Sequence, residues 1–202
     1  MNRLVLASNN PGKLKEIRAL LAPLAIEVIA QSELGIGEAE EPHQTFLENA
    51  LAKARHASAA SGLPALADDS GICVEALGGE PGVDSAYYAG KEGGRDERDA
   101  RNNAKLLDAL EGAADRRARY CCVLVLLRRA DDPLPIVAEG VWRGEIARVP
   151  RGGGGFGYDP LFLIPGLGRT SAELNAAEKN RISHRGRALA ALVARLRDED
   201  RA

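Results

Sequence analysis

A chain of 202 residues, 45% apolar and 28% charged, can bury roughly 70% of its unfolded surface, which fits one domain or two lobes and excludes disorder. The net charge of −2 excludes general attraction to nucleic acid or an anionic membrane, so a bound anion needs locally concentrated basic residues. Three cysteines, with Cys121 and Cys122 adjacent, give no disulfide framework; with no signal-peptide core and no stretch near ~18 apolar residues, a soluble cytoplasmic protein is expected.

Leu4 to Ala7 predicts a short buried strand, and after the turn Ser8 to Gly12 a helix follows with Leu14, Ile17, Leu20 and Leu21 at helical spacing. Ile26 to Ala30 is a second strand. The acidic loop Glu38 to Pro42 leads into Thr45-Phe46-Leu47-Glu48, a capping box that starts a helix running to Ser61. Ala65 to Val74 predicts a strand kinked at Ser70-Gly71, Leu77 to Val83 a loop, and Arg95 to Leu110 a helix. Tyr120 to Leu127 and Ile136 to Ile146, separated by the turn signal Asp131-Asp132-Pro133, predict a long hairpin forming one lobe's sheet. Arg151 to Asp159 is a glycine-rich loop. Thr170-Ser171-Ala172-Glu173 is a second capping box, and Leu189, Leu192, Val193 and Leu196 mark an amphipathic helix after Ser183. The fold class expected is α/β, a mixed central sheet with flanking helices.

Ser8-Asn9-Asn10-Pro11-Gly12-Lys13 joins a strand to a helix start, where backbone N–H groups and the helix dipole favour an anion. Lys13 and Lys15 oppose the dipole unless something negative sits there; a plain turn with an asparagine cap is the competing account. The same opposition recurs at Ser183-His184-Arg185-Gly186-Arg187, with Lys179 and Arg181 upstream. Asp68 and Asp69 follow an apolar run, and alternation along a strand gives them different surroundings. An aspartate there can bind Mg²⁺ or take a proton from water, although Asp-Asp-Ser-Gly is also good turn composition. Glu38, Glu40 and Glu41 offer further oxygen ligands, and spacing does not choose among them. In Gly152 to Pro160, an aromatic on a glycine loop can stack on a base and Asp159 can accept from it, unless Phe156 is tucked into the core. His43 and His56 form no zinc pattern, Cys73 reads as a small buried hydrophobe, and Ser70 lacks a nucleophile-elbow pattern.

Five segments, Ser8 to Lys13, Thr45-Phe46-Leu47-Glu48-Asn49-Ala50, Ala67-Asp68-Asp69-Ser70-Gly71, Gly155-Phe156-Gly157-Tyr158-Asp159-Pro160 and Ser183-His184-Arg185-Gly186, together resemble the dITP/XTP pyrophosphatase family, also called inosine triphosphate pyrophosphatases. The resemblance covers nearly the whole chain. It implies Mg²⁺-dependent hydrolysis of ITP, dITP and XTP to the monophosphate and pyrophosphate, by a homodimer with an elongated fold and a cleft between two lobes. It also implies site residues. Ser8, Asn9, Asn10, Pro11, Gly12 and Lys13 would hold the triphosphate, with Lys53 a further phosphate contact. Asp69 would be general base and metal ligand, with Glu40 as second metal ligand. Ser70 would contact substrate, Phe156 would stack on the base, and Gly157, Tyr158, Asp159, Lys179, His184 and Arg185 would complete the nucleotide site. Arg185 or backbone N–H groups facing the purine 6-oxo position would reject adenine. Asn9 stands where relatives commonly carry glycine, and the charged, glycine-rich stretch Gly90 to Asp99 is left unaccounted for. A Maf-like nucleotide pyrophosphatase and a nucleotide-binding protein without turnover are the alternatives.

Overall fold

Leu4, Val5 and Leu6 are apolar without alternation, the pattern of a strand covered on both faces, and they form the core of β1 (Arg3–Leu6). The computed structural model describes residues 1 to 199, with side chains to residue 197. Asn10 caps α1 (Pro11–Leu21), its side chain accepting from the Lys13 N–H, and Pro11 occupies the first helical position, where its missing N–H costs nothing. β2 (Glu27–Ala30) pairs parallel with β1, and so does β3 (Ala65–Val74) from the other side. Between them lies α2 (Phe46–Ser61), started by the Thr45 cap and ended at Gly62, whose φ of 68° is the left-handed conformation a helix stop requires. α3 (Arg95–Ala109), β4 (Arg117–Leu127), β5 (Ile136–Ile146), β6 (Phe162–Ile164), β7 (Arg169–Thr170), α4 (Ala176–Ile182) and α5 (His184–Glu199) follow.

The seven strands run in the order β2-β1-β3-β4-β5-β6-β7. β5, β6 and β7 pair antiparallel. The Ile146 N–H at the end of β5 donates to the carbonyl of Arg116, just before β4, as a hairpin requires. The sheet is mixed and flanked by helices, as the sequence leads one to expect. Among the described residues no helix is long and apolar enough to cross a membrane.

The chain divides into two compact units. The first comprises Met1–Asp69, Cys122–Gly140 and the chain from Arg185; the second comprises Ser70–Cys121 and Val141–His184. In the first, Leu6, Ile17, Leu66, Leu124, Leu126 and Leu189 cluster with α1 and α5, while Val5, Ala67, Val125 and Leu127 pack with the Ala50, Ala54 and Ala57 stripe of α2. In the second, Ile72, Leu106, Tyr120, Trp142, Tyr158 and Phe162 form one cluster.

Two expectations need correction. The β4–β5 pair does not belong to one unit, because the division cuts each strand; no glycine or proline interrupts Tyr120 to Leu127 to mark the change of core. The box at Thr170 caps only a 3₁₀ turn, Ser171–Glu173, and a second box, Asn175 with Glu178, starts α4, which the sequence reading missed.

Candidate active site

Successive residues of β3 point to opposite faces, and the two aspartates meet different chemistry. Asp69 is 5% exposed, and its Oδ1 accepts from Lys53 Nζ at 2.6 Å. Lys53 comes from α2, whose alanine stripe brings helix backbone close to the strand. The same ammonium donates to Glu41 Oε2 at 3.0 Å. Burial pushes the Asp69 carboxyl up to about 6, against the pull of Lys53 and Lys13. Burial acts the other way on Lys53, but Asp69 and Glu41 outweigh it and hold the ammonium above its ordinary value. Burial also raises Glu41, yet Lys53 leaves that carboxyl below the usual range. Asp69 Oδ2 is buried without a hydrogen-bond partner among the described residues. An acceptor so placed can take a proton from water or ligate a hard cation.

That donor set fits Mg²⁺, which takes one or two protein carboxylates and completes its shell with phosphate oxygens and water. Among the described residues no group of three or more His, Cys, Asp or Glu side chains forms an all-protein cage. Glu41, its side chain 45% exposed, reaches Lys53; Glu40, carried over as the second ligand, is exposed as well.

Asp68 is fully buried. Its carboxylate accepts from Lys13 Nζ at 2.6 Å, Arg185 Nε at 2.7 Å and the Cys122 thiol at 3.2 Å, and Lys13 also donates to its carbonyl. Burial would raise this carboxyl, but Arg185 and Lys13 hold it well below the usual range. Arg185, 2% exposed, also donates to Glu16 of α1. The anion that answers the two dipole-opposed cations is therefore Asp68 of the same unit. The base-reading role expected of Arg185 meets a guanidinium engaged by two carboxylates. In the turn before α1, Asn10 is the cap and its own N–H donates to Ser8 Oγ; Ser8, Asn10 and Gly12 are half-buried, Asn9 and Pro11 exposed. Ser70 follows Asp69 on β3, half-buried.

The other predicted residues lie in the second unit. Asp159 is 2% exposed and held by three donors: Oδ1 accepts from Ser171 Oγ at 2.8 Å, Oδ2 from Lys179 Nζ at 2.6 Å and from the Phe156 N–H at 2.8 Å. It ties the loop together. Gly155 is required here, because a Cβ would stand 1.9 Å from Asp159 Oδ2 at a φ of +76°. Phe156 is half-buried, with the Arg95 guanidinium 4.7 Å and Lys179 Nζ 4.8 Å from its ring centroid. Tyr158 is a core residue donating to the Ser85 carbonyl. His184 is buried, stacked on Tyr120 at 4.6 Å and 8°. Asp99 and Asn103 of α3 bond Gly157, and neither carried any signal in the sequence.

The fold is shared with the solved structure of a HAM1 protein from Coxiella burnetii, 50% identical with a TM-score of 0.89, covering 98% of this chain and 100% of that one. At the level of sequence, the model of the Ham1 family matches residues 4–195, and the chain belongs to that family. It is 68% identical over 197 residues to the dITP/XTP pyrophosphatase of Ralstonia nicotianae, covering 98% of each chain. It is 64% identical over 200 residues to the dITP/XTP pyrophosphatase of Nitrosomonas europaea, covering 99% of this chain and 97% of the relative.

Proposed function

We propose that the protein is a Mg²⁺-dependent nucleoside triphosphate pyrophosphatase that hydrolyses dITP, ITP and XTP to the monophosphate and pyrophosphate. The relatives named dITP/XTP pyrophosphatase support the reaction. The observation that carries the mechanism is the buried Asp69 carboxylate, one oxygen on Lys53 and the other without a partner among the described residues.

Asp69 takes a proton from water as the water oxygen bonds to the α-phosphorus. The bond from that phosphorus to the bridging oxygen breaks, and pyrophosphate departs with the electron pair. Asp69 and Glu41 would hold Mg²⁺, which supplies charge neutralisation on the triphosphate. Lys53 orients Asp69, and the turn Ser8 to Lys13 receives phosphate at the start of α1. Phe156 stacks on the purine. The 6-oxo group is read by backbone N–H donors, since Arg185 is held by Asp68 and Glu16. The protein acts in the cytoplasm as a homodimer, a state that light scattering on the purified chain would check.

The reaction is tested with ITP, dITP, XTP, GTP, ATP and dTTP, each assayed with Mg²⁺ for pyrophosphate and monophosphate. Strong preference for the first three is expected; equal rates on GTP would sink the assignment. Orthophosphate with a diphosphate would place attack at the γ-phosphorus instead. Chelating the divalent cation should stop turnover.

A further inference from the structure

Gly152, Gly155 and Gly157 all adopt positive φ in the loop that carries Phe156, and no strand or helix shapes that loop from within. Backbone bonds tie the loop at Arg151, Gly154 and Asp159, and side chains hold its tip around Gly157. The Gly157 N–H donates to Asp99 Oδ2 at 2.8 Å, and the Gly157 carbonyl accepts from Asn103 Nδ2, also at 2.8 Å. Both partners stand on α3, one turn apart, so the two backbone groups of one glycine end on a single rigid helix. Arg95, one turn earlier on the same face, lies over the Phe156 ring and 3.9 Å from Asp99. Asp159 takes the Phe156 N–H.

Asn103 gives up something in this arrangement. Its amide nitrogen serves the Gly157 and Asp99 carbonyls, while its Oδ1 is buried with no hydrogen-bond partner among the described residues. An orphaned buried acceptor opposes folding, so its retention is explained by where the donor must be rather than by stability.

We propose that Asp99 and Asn103 are positioning residues for base recognition: they fix the two peptide units that flank Gly157, so that the Phe156 ring just before it is held ready for the purine. The inference rests on Phe156 being the stacking residue. It also gives a role to part of the charged stretch Gly90 to Asp99, on which the sequence motifs are silent. Without the clamp, a glycine-rich loop samples many conformations and only a fraction presents the ring, which weakens apparent affinity by that fraction.

The test compares steady-state kinetics on ITP for Asp99→Ala, Asp99→Asn, Phe156→Ala and the double variant Asp99→Ala/Phe156→Ala, with thermal unfolding as the fold check. Asp99→Ala should raise KM about tenfold and change kcat less than about threefold, because stacking acts alike on ground and transition states. Asp99→Asn keeps an acceptor oxygen and should bring KM back to within about twofold of the parent. In the Phe156→Ala background, removing Asp99 should add little, since the two act through one contact. A parental KM for Asp99→Ala alongside a raised KM for Phe156→Ala overturns the positioning role and leaves the stacking reading standing, as does full additivity. An unchanged KM for Phe156→Ala overturns the stacking reading, and the inference with it. Should Asp99→Ala fail to fold, Asn103→Ala takes its place with the same outcomes.

Discussion

Asp68 and Asp69 are one position apart on β3, and each has a different consequence when altered. Asp68, itself fully buried, compensates Lys13 and Arg185, so Asp68→Asn should destabilise the protein by about 3–5 kcal/mol, read by denaturant unfolding. Its carboxyl sits well below the usual range in the folded state. Its stabilising contribution is therefore complete above the unfolded pKa of ~3.9 and is lost as pH falls through the folded value. Melting temperatures taken from neutral to acid pH should fall more steeply in the parent than in Asp68→Asn. Asp69→Asn should instead fold, bind nucleotide, and lose turnover by about 10²- to 10⁴-fold. Strand alternation made it legible that the aspartates differ. It was not legible that the carboxylate answering Lys13 and Arg185 is Asp68, because those partners lie 55 and 117 residues away.

At the scale of elements, α2 shows how packing sets chemistry. Ala50, Ala54 and Ala57 are fully buried, and their small side chains let the helix approach the sheet closely enough for Lys53 to reach Asp69. Ala54→Leu should cost about 1–3 kcal/mol by overpacking and lower kcat as Lys53 moves off Asp69. The glycine loop makes the opposite demand. Gly155→Ala places a Cβ on the Asp159 carboxylate, which would break the ties to Phe156, Ser171 and Lys179, and should raise KM for ITP. The capping box at Thr45 and the spacing of Ile17 and Leu21 made α2 and α1 readable from local signals. α4 was missed because the box ahead of it caps a single 3₁₀ turn, and a second box, opening at Asn175 two residues after that turn ends, starts the helix.

For the molecule as a whole, ligand and stability are linked. A non-turning variant such as Asp69→Asn, held with ITP and Mg²⁺ at about 100 times the dissociation constant, should gain about 2.7 kcal/mol. That corresponds to a melting shift of about 5–11 °C for a chain of this size, and ATP at the same concentration should give far less. The mixed sheet was legible from the order of strands and helices. The division into two units was not, since it cuts three strands that run on unbroken: Gly71 and Gly140 stand near two of the cuts without ending the strand, and nothing marks the third. The ion cluster around Asp68 also sets a condition on synthesis. α1 and β3 are made early, but the guanidinium that neutralises Asp68 arrives 117 residues later, about 6–23 s of elongation. Through that interval Asp68, destined for the interior of the first unit, has Lys13 as a counter-charge but not Arg185, and its native packing waits for α5.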